Sequence, residues 1–142
     1  MSDIKDFHTR ETANKGIDLP LYLPDGSKSE HSITIRGVDS DAFRAAEAQA
    51  SRRAFEEASE GKEPDIEAGK RDMLASLIIS WTFDQKCTID ARRNLLREAP
   101  QIADAIDRVA SQRRFFTSGV QPNSTPTPKR SSSSRARPKD QK

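Results

Sequence analysis

The apolar side chains of this chain are few and gathered together, and that bounds what it folds into. Leu, Ile, Val and Phe total 26 of 142 residues, below the roughly 20% at which disorder is suspected. Disorder by composition also needs a large net charge, and here 24 basic against 22 acidic residues leave only +2. Most of the 26 lie between positions 17 and 116. The sequence therefore predicts one small domain with a thin core, flanked by polar ends.

Residues 1–16 are polar, with Ile4 and Phe7 as the apolar exceptions, and read as a flexible N-terminal arm. In IDLPLYLPDGSKSEHSITIRG, residues 17–37, Leu19, Leu21 and Leu23 alternate, as do Ile33 and Ile35. Each run buries one face of a strand. Between them, Pro24, Asp25 and Gly26 supply a preset φ, a side-chain acceptor and freedom to take positive φ. A β-hairpin over 17–37 follows. Pro20 removes a ladder donor, which places the first strand at an edge.

Asp39 or Ser40 caps a helix over about 40–60, whose face of Phe43, Ala46, Ala50 and Ala54 is narrow. Gly61 and Pro64 end it. Asp65 caps a helix over about 66–83 with the strongest apolar stripe, Met73, Leu74, Leu77, Ile78 and Trp81. Thr88 caps a short helix over 89–98, with Asp90 in its first turn. Pro100 opens the last helix, 100–116, where Ile102, Ile106, Val109, Arg113 and Phe116 follow a helical spacing. The folded body thus spans 17–117. Residues 118–142 turn to Pro, Ser, Thr and basic residues and read as a disordered tail. The fold class is α+β, mainly α: an N-terminal hairpin, then three or four helices, then a disordered basic C-terminal tail.

Signatures of catalysis are missing: no P-loop, no G-x-G-x-x-G and no nucleophile elbow. The single cysteine, Cys87, excludes an intrachain disulfide and reads as a buried thiol. With only His8 and His31 beside it, a structural zinc site would need several carboxylates. No enzyme activity, cofactor or metal is expected. The tail carries six basic residues and one acidic, but no aromatic for base stacking. It reads as a linker rather than a nucleic-acid site. An apolar leader and a membrane-length apolar run are both absent, which points to the cytosol.

The aromatics point to a partner. On a continuous helix Trp81 and Phe83 lie about 200° apart, and Phe115 and Phe116 about 100° apart. One member of each pair should stay outside a thin core and anchor an interface. Trp81, Phe83, Phe115 and Phe116 are therefore the candidate partner-binding residues.

The hairpin LPLYLPDGSKSEHSITIRGV followed by a polar helix resembles the start of tail assembly chaperones of long-tailed (siphovirus-like) bacteriophages. The second half, LIISWTFDQKCTIDARRNLLREAPQIADAIDRVASQRRFF, is similar to theirs in order and spacing. The matching features are an apolar segment ending in Trp81, a capping Thr88, Asn94-Leu95-Leu96, Pro100, and a closing Phe115-Phe116. The resemblance covers about 17–116 and departs from the family at Cys87, where Phe or Leu is usual. It implies a non-virion protein of the host cytoplasm that coats the apolar tape measure protein and keeps it soluble. It also implies help in recruiting tail tube protein, and a longer form of the chain made by ribosomal frameshift. The competing readings are a structural head–tail connector or other tail component, and a small nucleic-acid-binding regulator. A connector should carry more strand than one hairpin, and a regulator should hold its basic residues on a folded helix.

Overall fold

The computed structural model describes residues 3–117; the first two residues and the basic tail expected over 118–142 lie outside them. The hairpin forms as its sequence requires, from β1 (Ile17–Tyr22) and β2 (Lys28–Ile35). In the turn, Asp25 Oδ1 accepts from the Ser27 backbone N–H at 2.9 Å and from its hydroxyl at 2.7 Å. Gly26 takes a φ of +92° there, which a side chain would resist.

The antiparallel register pairs Ile17 with Ile35 and Leu19 with Ile33. Because strand side chains alternate, this puts the apolar set on one face. The other face is polar, and Thr34 Oγ1 donates to Asp18 Oδ1 across it at 2.7 Å. A sheet covered on one face and wet on the other is a stable antiparallel solution. Pro20 does lie on an edge strand, since the sheet order is β1-β2-β3.

The predicted caps are in place. Ser40, fully buried, caps α2 (Asp41–Ser59) by accepting from Phe43 N–H at 3.3 Å. Asp65 caps α3 (Ile66–Ser76), accepting from Ala68 at 3.1 Å. Thr88 caps α4 (Ile89–Glu98), accepting from Ala91 at 3.1 Å. Pro100 is the first residue of α5 (Pro100–Ala110). Each acceptor satisfies one of the helix's orphan N–H groups.

Three expectations need correction. The helix expected over 66–83 stops at Ser76, and Ile78–Trp81 form β3, antiparallel to β2. Arg36, just past β2, takes the carbonyls where the helix would have continued. Its backbone N–H donates to Leu77 O at 2.7 Å and its guanidinium to Ser76 O at 2.8 Å. The ladder shifts by one residue between Thr34 and Ile35, a bulge that fits the extra Ile79.

The helix expected over 100–116 breaks after Ala110. The chain turns over 111–113, and α6 (Arg114–Thr117) is the last described element. Nor is the segment 1–16 a free arm throughout. A 3-10 turn (Ile4–Phe7) precedes α1 (Arg10–Lys15), whose Ala13 is buried. Five α-helices follow the hairpin among the described residues, where three or four were expected, and the fold is α+β, mainly α, as the sequence implied.

The core lies between the sheet and α3, α4, α5 and α6. It gathers Leu19, Leu21, Ile33 and Ile35 with Leu74, Leu77, Ile78, Leu96, Ile106, Val109 and Phe115. Helix α2 buries no residue fully. It rests on α3 where Gly69 leaves room, a Cβ there lying 3.7 Å from that of Ala50. Asp72 on α3 joins Arg53 of α2 at 3.3 Å and Arg93 of α4 at 2.8 Å.

Candidate partner-binding surface

Of the four aromatics singled out from the sequence, Trp81 and Phe83 do not diverge. Trp81 ends β3, pairs with Ile33 of the neighbouring strand, and has Phe83 two residues on. The period of an extended chain returns both rings to one side, where a helix would have opposed them. They meet edge-on with centroids 5.4 Å apart, and Phe83 also lies 4.7 Å from the ring of His31. Both are half-buried against the core. The Trp81 indole N–H donates to Gln85 O at 2.7 Å, so its polar group is satisfied within the loop. The alternation Trp81-Thr82-Phe83 was the sequence signal for a strand, overridden by the helical stripe before it.

Phe115 and Phe116 are likewise both taken up by the fold. Phe115 is only 8% exposed, with the Arg114 guanidinium 5.0 Å from its ring centroid. Phe116 is half-buried beside Gly37, where a Cβ would stand 3.3 Å from its ring and 3.1 Å from Ala13. Both lie in α6, so they keep a helical separation of about 100°, with Phe115 in the core and Phe116 at its margin. Trp81, Phe83 and Phe116 thus keep some surface, and Phe115 keeps almost none.

Polar contacts hold the termini of the described chain in place. Asp39 accepts from Arg113 Nε at 2.6 Å and Nη2 at 3.0 Å, and from Arg44 at 3.1 Å. The Arg113 hydrogen bond above all, with Thr9 and Arg44 adding to it, holds the Asp39 carboxyl well below the usual carboxylate range despite its burial. Asp41 accepts from Arg10 at 2.7 and 2.9 Å and from Asn14 at 3.1 Å, and its own N–H donates to Asn14 at 2.8 Å. Neither network was foreseen, because apart from Arg44, five residues from Asp39, the hydrogen-bonded partners stand 27 to 74 residues apart.

The large apolar residues left most open are others: Ile4, Phe7, Tyr22, Leu23, Phe55, Ile66 and Ile89. Tyr22 and Leu23 border a groove of about 340 Å³ between β1 and α5. Cys87, expected to be buried, is half-buried, and its Sγ accepts from Arg92 Nε at 3.4 Å. Among the described residues no group of three or more His, Cys, Asp or Glu is placed to hold a metal. No described helix is long and apolar enough to cross a membrane. No protein-family model, curated protein or solved structure matches the chain.

Proposed function

We propose that the chain is a tail assembly chaperone of long-tailed phages, acting in the host cytoplasm. It binds the tape measure protein, keeps it soluble and helps to bring tail tube protein to it. The observation that carries this reading is the order of features over 17–116: hairpin, polar helix, Trp81, capped Asn94-Leu95-Leu96 helix, Pro100 and closing aromatics. A holdase also needs apolar surface that survives folding. The edge-on Trp81–Phe83 pair beside exposed His31 is such a surface, since half-buried aromatics anchor interfaces at little ordering cost. Each contact is weak alone, and many copies along one long helical client add up to strong yet displaceable binding.

The test is co-expression with a tagged tape measure protein from the same genome. Phe83→Ser should reduce co-purified chaperone at least about tenfold while the melting temperature stays within about 5 °C. Full solubilisation and pull-down by this variant, and by His31→Ser, would remove the site from β3. A tape measure protein that stays insoluble beside the wild-type chain would end the reading itself.

A further inference from the structure

Two of the three most exposed large apolar side chains among the described residues, Ile4 and Phe7, lie together in one short turn. Ile4 is 74% and Phe7 73% exposed, in the 3-10 turn ahead of α1. Three residues make one turn of a 3-10 helix, so residues three apart eclipse. Ile4 and Phe7 therefore form one edge, Asp3 and Asp6 the next, and Lys5 the third. The turn is held in shape by Asp3 N–H donating to Asp6 Oδ2 at 2.9 Å. It is carried on a docked support, because α1 is tied to Asp41 by Arg10 and Asn14. What results is a small apolar edge with an acidic flank, standing off the body.

The same molecule carries a surface of the opposite kind. The groove between β1 and α5 is lined by Leu21, Tyr22 and Leu23 from the strand end and by Ile102 and Ala105 from the helix. Its one charged lining residue is Arg108, which has no ion-pair partner among the described residues. At about 340 Å³ the groove is of a size to take two apolar side chains. Apolar edge matches apolar lining, and acidic flank matches the basic rim.

We propose that the chain assembles head to tail, the Ile4/Phe7 edge of one copy seating in the β1–α5 groove of the next. Such a contact joins two different patches, so it does not close at two copies and builds a ring or a filament. The inference stands apart from the functional reading above, for it uses neither the aromatic pair on β3 nor any client.

Sedimentation velocity of the full chain from micromolar to millimolar concentration tests it. The wild-type chain should form species larger than a dimer as concentration rises. Phe7→Asp, which spoils the edge, and Leu23→Asp, which spoils the groove, should each weaken association at least about tenfold. Both positions are exposed, so circular dichroism should show unchanged folding. The decisive arm is the mixture: one variant keeps its groove, the other its edge, and together they should form a one-to-one dimer that grows no further. A wild-type chain that stays monomeric at millimolar concentration overturns the proposal, including the case where the edge folds back onto its own groove. Wild-type-like association by Phe7→Asp, or no dimer in the mixture, overturns it as well.

Discussion

Asp39 draws together three stretches that are far apart in the chain, through Thr9, Arg44 and Arg113. Its carboxyl is held below its ordinary range in the folded chain, so between the folded and unfolded pKa values the unfolded state binds more protons. Stability from this group is then complete above about pH 4, the ordinary carboxylate value, and falls as pH drops toward the folded pKa. Asp39→Ala should cost about 1–2 kcal/mol at pH 7, and urea titrations should show the gap to wild type narrowing below pH 4. Equal gaps at pH 7 and pH 2.5 would mean the charge is irrelevant. Ile106 is fully buried, and Ile106→Ala should cost about 2–4 kcal/mol. Gly16 is a different kind of constraint. It joins α1 to β1 with φ of +83°, and a Cβ there would lie 2.6 Å from the Ile35 carbonyl oxygen. Gly16→Ala should therefore destabilise by more than the ~1 kcal/mol of an ordinary glycine replacement, as a denaturant midpoint would reveal.

At the scale of elements, legibility followed how local the deciding interaction was. A cap needs one oxygen and one N–H three residues on, so Ser40, Asp65 and Thr88 could be read from the sequence and are where they were expected. Thr88→Ala should cost α4 about 1 kcal/mol, seen as a lower melting temperature, and Thr88→Ser should restore most of it. The hairpin was readable for the same reason, since its turn chemistry is contained in three residues. The third strand was not. Met73, Leu74, Leu77, Ile78 and Trp81 satisfy a helical period, and short apolar runs do not distinguish helix from strand by pattern alone. What decided the matter was Arg36, some 40 residues earlier, taking Ser76 O and Leu77 O. For Trp81 and Phe83 the angular argument failed with the helix it assumed. Trp81 and Phe83 survive as surface candidates because an extended chain places them side by side.

For the whole molecule, the main surprise is how the beginning and end of the described chain lock together. Gly37 N–H donates to Ala13 O at 3.1 Å, and Phe116 lies against the same glycine. With only one buried apolar residue, α1 offered no stripe by which docking could be foreseen. Deleting residues 1–15 should lower the melting temperature by at least about 5 °C, the shift expected for ~1 kcal/mol in a domain of this size. Deleting residues 1–8 alone should leave it unchanged. Identical melting of both truncations and the full chain would show that α1 contributes nothing.

The sheet is open on both sides, and each side is spoiled as a template. Pro20 leaves a missing donor in β1, and β3 is four residues long and bulged against β2. A sheet with open edges runs the hazard of backbone-to-backbone growth into amyloid. Here that growth has no clean starting row of N–H and C=O groups on either edge. Replacing Pro20 by Val would complete the row, and concentrated solutions of that variant, unlike the wild type, should seed fibres that bind thioflavin.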